Sequence, residues 1–156
     1  MSSAKSSLYL VCWVAAAGLS LGGQQSAPLS SVKRIYVEAF ANKDGAEQLR
    51  ADVIAQLRRS NIAIAHERSG ADAILEGSGE TWVKGYRSLN PRSGRSPSNG
   101  TPVYGGFLSV ELKDSNGETL WSYLATPAGG SEDISKDLAK RVVRRLAEAL
   151  AAEPHH

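Results

Sequence analysis

A chain of 156 residues and 16.6 kDa has room for one domain and little more. A hydrophobic fraction of 42% with 22% charged residues excludes disorder throughout, and a net charge of +2 gives no long-range pull toward nucleic acid or anionic lipid. One cysteine, Cys12, excludes a disulfide framework, and three histidines, an isolated His66 and the terminal pair His155-His156, leave no ligand cluster for zinc, so no metal or other cofactor is expected.

The amino-terminal segment differs in kind from the rest. Lys5 is the only charged residue before Lys33, and Leu8 to Leu21, LYLVCWVAAAGLSL, carries no charge. A short positive end, an apolar run and small residues after it form the pattern of a secretory signal peptide, here residues 1–22, with Ser20 and Gly22 at the two positions that must be small. The alternative is a retained anchor, for which the run is short against the ~20 residues that span hydrocarbon. Cys12 sits mid-run behind Val11 and not at a cleavage point, so lipid attachment is not expected. A mature chain without cysteine must rely on its apolar core, and loss of Lys5 lowers its charge to +1.

Residues 23–31 form a polar connector, and a single domain is expected over 32–152, with 153–156 as a tail. In Val32–Phe40, VKRIYVEAF, the residues Ile35, Val37 and Ala39 share one side of a period-two pattern, which predicts a strand. Asp44 and Glu47 have the offset of a capping box, and Leu49, Val53 and Leu57 then recur at helical spacing, with Ile54 widening the stripe. Ser60-Asn61 closes this helix, and Ile62 and Ile64 begin a second strand.

Ala73–Tyr86 reads as a long, bent strand in which Gly77 and Gly79 permit a bulge or the close approach of another backbone. From Arg87 to Pro102, RSLNPRSGRSPSNGTP, prolines, glycines and serines replace any apolar period, predicting an exposed loop. Val103–Lys113 alternates again, and Asn116-Gly117 predicts a reversal into Glu118–Leu124, giving an antiparallel hairpin. The last element is a helix with Ser131 as its N-cap, Glu132 and Asp133 in its first turn, and Ile134, Leu138, Val142, Leu146 and Leu150 along one face. The expected fold is α/β (α+β), a mixed sheet of about five strands with two helices packed on one face, in the order β-α-β-β-β-β-α.

The segments VKRIYVEAF, GAEQLRADVIAQLRRS, ADAILEGSGETW and VELKDSNGETLWSY, followed by a long terminal helix, together resemble the small periplasmic α/β domains of the CsgG-like and TolB amino-terminal type. The resemblance covers about Val32 to Ala152 and implies an envelope protein that acts through its surfaces. It departs from that group in lacking both paired transmembrane segments and a following propeller, so no transport activity is carried over, and the likeness supplies no catalytic residue.

Motif by motif, the sequence has no G-x-S-x-G elbow, no phosphate-binding G-x-x-x-x-G-K-[ST] loop and no H-E-x-x-H pair. GSGE at 77–80 lacks dinucleotide-loop spacing and precedes no predicted helix. Glu76 and Glu80 share a strand face about 13 Å apart if extended, wider than the ~5–9.5 Å used by glycosidases; a bulge would shorten it, which leaves a small hydrolase as the alternative reading. The leading expectation is a non-enzymatic exported domain that binds a macromolecule or acts as an assembly factor of the bacterial cell envelope, with a purely structural domain as a third reading.

Its candidate interaction surface is Arg87, Arg92 and Arg95 in the long loop, with Tyr104 and Trp121 nearby in sequence pattern, and an exposed sheet edge. Arginine engages carboxylates or phosphates in a forked geometry, so the expected partner is an envelope protein or an acidic polymer, with peripheral membrane proximity compatible and nucleic acid not expected. Lys140, Arg141, Arg144 and Arg145 read as the solvated side of the last helix. Trp82, Tyr104, Trp121 and Tyr123 are of the type that stacks on nucleic-acid bases, but export and the low net charge argue against that partner, and core packing accounts for most aromatic placement.

Overall fold

The computed structural model describes residues 28–41, 44–87, 100–128 and 133–152. The expected signal peptide and tail, the greater part of the expected connector, and Arg92, Arg95 and Ser131 lie outside the described residues. The elements are β1 (Arg34–Val37), α1 (Ala46–Arg59), β2 (Ala63–Ile64), β3 (Ala73–Arg87), β4 (Thr101–Lys113), β5 (Thr119–Ala125) and α2 (Ile134–Ala151), which is the expected mixed fold. The sheet order is β2-β1-β3-β4-β5, with β1 parallel to both neighbours and β3, β4 and β5 antiparallel.

Strand β1 is shorter than the alternation of Val32–Phe40 predicts. Its start is fixed by Asp72, whose carboxylate accepts from the backbone N–H groups of Lys33 (3.0 Å) and Arg34 (2.8 Å). Those bonds, Arg34 first, hold the Asp72 carboxyl below the usual aspartate range. Its end is set by Phe40, which is buried against the site of Gly77: a Cβ there would come within 2.6 Å of the ring. The close approach expected at Gly77 and Gly79 is made by the Phe40 side chain at the first, and at the second by the Leu49 side chain together with the Phe107 backbone carbonyl, where a Cβ would meet each at 2.8 Å. The bulge of β3 falls later, between Val83 and Gly85.

Helix α1 forms on the predicted stripe, with Leu49, Val53 and Leu57 fully buried. Each such side chain contributes roughly 1.5–3 kcal/mol by leaving water. The capping box does not form: Gly45, at φ 82°, occupies the cap and no side chain bonds there, so Asp44 falls one residue outside the helix. A left-handed glycine is conformationally cheap at this point and redirects the chain instead. At the other end Ser60 donates its N–H to the Gln56 carbonyl, and Asn61 turns through φ 56° into β2.

The β4–β5 reversal is a four-residue turn built by Asp114, which is buried and accepts from the N–H groups of Asn116 (2.8 Å) and Glu118 (2.9 Å). Only Gly117 takes a positive φ, 86°, so the Asn-Gly pair is not a two-residue primed turn. The register skips between Leu112 and Lys113, leaving Leu120 as the extra residue.

Helix α2 begins at Ile134, and its N-cap is Asp133, whose carboxylate accepts from the Lys136 N–H at 3.2 Å. The predicted cap at Ser131 is thus replaced by the residue two positions on, because only from Ile134 does the apolar face meet the core. Asp137 and Arg141 form the expected pair at 3.1 Å. Both helices cover one sheet face, where Ile35, Val37, Leu75, Leu108, Val110 and Leu112 meet Leu49, Val53, Leu138, Val142 and Leu146 in one apolar cluster. One polar group lies between the helices: Asp52, nearly buried, accepts from Ser135 Oγ (2.6 Å) and Gln48 Nε2 (3.0 Å).

Candidate interaction surface

Because side chains alternate along a strand, covering one face with helices leaves the opposite face of the same five strands uncovered among the described residues. On that open face Glu76 of β3 stands directly opposite Glu111 of β4, and Ser78 opposite Ser109. Two facing carboxylates repel, and Lys113 compensates: its Nζ lies 2.7 Å from Glu76 and 3.4 Å from Glu111. The hydrogen bond to Glu76 above all raises the Lys113 ammonium above the ordinary lysine range. Further along the same face Leu124 of β5, opposite Ser109, is 58% exposed.

Strands β3 and β4 run well past their neighbours. Strand β1 pairs with β3 only through Leu75, with one more backbone bond to the Gly77 carbonyl, and β5 pairs with β4 only as far as Leu108. Beyond, Thr81–Arg87 and Thr101–Gly106 continue as a two-stranded ribbon with no further described strand on either side. The ribbon carries Trp82 (45% exposed), Val83 (47%), Tyr86 (52%) and Tyr104 (41%). With Leu124 these are the large apolar side chains most exposed among the described residues. The Trp82 indole lies across Gly105, where a Cβ would meet its Nε1 at 2.9 Å, and its ring is tilted against Phe107 at 6.5 Å. At the ribbon's base an open cleft of about 300 Å³ lies between Trp82, Lys84, Tyr104 and the chain entering α2 at Pro127 and Ile134.

The structure places the predicted surface residues apart. Arg87 ends β3 opposite Thr101, exposed at the far end of the ribbon, and Tyr104 stands opposite Val83 on the same ribbon. Trp121 is opposite Leu112, some eight strand positions or ~27 Å from Tyr104, partly buried against the core and stacked on Tyr123 at 6.0 Å. Thr101 and Pro102, predicted as loop, belong to β4. Core duty holds for Trp121 and Tyr123, whereas Trp82 and Tyr104 are exposed because the helices do not extend over the ribbon. Trp82, Val83, Tyr86 and Leu124 are exposed residues outside the expected surface, Trp82 and Leu124 on the open face and Val83 and Tyr86 on the other; the usable signal for the ribbon is the aromatic content of β3 opposite Gly105-Gly106. On α2, Arg144 and Arg145 reach Glu148 (3.9 and 2.9 Å), and Arg141 is bound to Asp137, so only Lys140 of that cluster is outside an ion pair among the described residues.

No group of His, Cys, Asp or Glu among the described residues is arranged to hold a metal ion. No helix among them is long and apolar enough to cross a membrane.

No protein-family model matches the sequence, and no curated protein matches it. The fold is shared with solved structures of the PelC dodecamer from Paraburkholderia phytofirmans. A leucine-to-methionine variant superposes with a TM-score of 0.50 at 24% identity, covering 78% of this chain and 92% of that one. A second crystal form gives 0.51 at 22% identity, covering 82% and 92%. A chain assigned as a homolog of neuraminyllactose-binding hemagglutinin from Helicobacter pylori aligns more loosely, with a TM-score of 0.44 at 10% identity over 81% of this chain and 86% of that one. The resemblance to CsgG-like and TolB amino-terminal domains is thereby corrected: the architecture matched is that of PelC. The misleading segments, ADAILEGSGE and DSNGETLWS, are set by local demands, room for Phe40 and Leu49 at two glycines and a turn closed by Asp114. Such demands accompany this kind of sheet and do not distinguish one family from another.

Proposed function

We propose that the chain is an exported, non-enzymatic building block of the bacterial cell envelope that acts by assembling with copies of itself. The observation that carries this reading is a sheet with one face uncovered among the described residues and a β3–β4 ribbon that presents four large apolar side chains to water. A monomer gains nothing from that exposure, whereas apolar area buried between subunits is the main favourable term in association. The PelC structures that share the fold are dodecamers, which fits a chain whose sheet is left open. The apolar leader supports an extracytoplasmic location.

The geometry gives the hydrolase alternative no comparable support. Glu76 is engaged by Lys113 at 2.7 Å, and four strand positions separate it from Glu80, about 13 Å. Co-expression of two full-length copies with different carboxy-terminal tags, followed by detergent extraction of the envelope and capture through one tag, tests the proposal. Recovery of the second tag with the first is expected. Capture of each copy alone, or recovery of both from the cytosolic fraction only, would refute it.

A further inference from the structure

The geometry points to a head-to-tail contact in which the β3–β4 ribbon of one copy lies along the free outer edge of β5 in the next. The inference rests on the self-assembly reading and names the two surfaces that meet. A two-stranded ribbon is at best marginal in water by itself, and this one is unflanked over Thr81–Arg87 and Thr101–Gly106. It therefore calls for a surface that supplies both apolar cover and a strand edge.

Within the described part of the chain that description fits one place. The outer edges of the sheet are β2 and β5; β2 has two residues and offers almost no edge, while β5 has seven. Strand β5, TLWSYLA, contains neither charge nor proline, the usual means by which an edge is blunted, and it carries Leu124, the one strongly exposed large apolar side chain off the ribbon. Its length matches that of the ribbon. Pairing of ribbon with ribbon about a two-fold axis is disfavoured, because each carries exposed Lys84 and Arg87, neither in an ion pair among the described residues, and would set like charges together. A ribbon meeting an uncharged β5 avoids that repulsion. Two different surfaces on one chain make a heterologous contact, which propagates around a closed ring or along a filament.

Cysteine cross-linking tests this. In full-length chains carrying Cys12→Ser, so that no native thiol remains, Tyr86→Cys and Leu124→Cys are introduced singly and together and treated with a short bis-maleimide. The double variant is expected to give a ladder of covalent dimers, trimers and higher species, and a mixture of the two single variants to give dimers only. A dimer from Tyr86→Cys alone would show ribbon against ribbon and overturn the inference. Absence of cross-links in a chain that the two-tag capture shows to be assembled would overturn the contact while leaving self-assembly standing; absence in a chain that is captured alone would overturn both. Leu124→Lys, a substitution on an exposed position, serves as an independent check: it is expected to lower the recovered assembly at least tenfold without changing the circular dichroism spectrum, and unchanged assembly would count against the contact.

Discussion

Replacing Gly77 by alanine adds one methyl group at the point where Phe40 lies on the sheet. The new Cβ would stand 2.6, 2.7 and 2.9 Å from three atoms of the Phe40 ring, about 1 Å closer than carbon atoms tolerate. Two effects then oppose each other. Alanine reduces the entropy of the unfolded chain, which stabilises by about 0.4–1 kcal/mol where the backbone tolerates it, and Gly77 has no positive φ. Overpacking a core contact costs about 1–3 kcal/mol, and Phe40 is buried within the main cluster. The clash wins, and a net loss of about 1–2 kcal/mol is expected in urea unfolding of the chain, with the m-value unchanged. Phe40→Leu shortens the offending group and should offset part of that cost when combined with Gly77→Ala, so the double-mutant cycle should show coupling of about 1 kcal/mol or more. A Gly77→Ala variant as stable as the parent, or two substitutions whose effects simply add, would refute the account of how Phe40 packs at Gly77 beyond the end of β1.

Further outcomes follow from the polar anchors. Asp114→Ala removes the acceptor for two backbone N–H groups of the β4–β5 turn and should cost about 2 kcal/mol in urea unfolding, with Asp114→Asn costing less because one carbonyl oxygen remains. Asp52→Ala breaks the link from α1 to Ser135 of α2 and should cost about 1–3 kcal/mol; Ser135→Ala, combined with it, should add little more. Lys113→Met leaves Glu76 opposite Glu111 without their cation and should lower stability in urea unfolding, and Glu111→Gln in that background should recover part of the loss. Asp72 has a folded-state carboxyl held below its unfolded value, so its contribution is present above the unfolded value and disappears as pH falls through the folded one. Carbon-detected titration of Asp72 should show that depression, and Asp72→Asn should flatten the corresponding part of the acid-unfolding profile; an unshifted carboxyl would contradict the anchoring of β1.

Local signals carried most of the fold. The stripe Leu49–Val53–Leu57 and the alternation Leu108–Val110–Leu112 each specify an element and the face it buries, and both faces meet in one core. What stayed hidden depended on distant residues. Thr101 and Pro102 have loop composition, yet pairing with Arg87 and Tyr86 holds them in β4. Gly45 took the cap from Asp44 because of the direction in which the chain leaves the sheet, which spacing alone does not reveal. Trp82 and Tyr104 look like core residues by type, and only the start of α2 at Ile134 shows that neither described helix extends over them. Of the expected interaction residues, Arg87 and Tyr104 share the ribbon while Trp121 stands at the other end of the sheet, since residues on neighbouring strands meet by register and not by proximity in sequence.

Sedimentation equilibrium of the detergent-extracted full chain, across a hundredfold range of protein concentration, tests the central claim most directly. Self-assembly through an uncovered sheet predicts one defined multimer whose mass is several times that of a single chain and which persists at micromolar concentration. A species of single-chain mass over the whole range would contradict it.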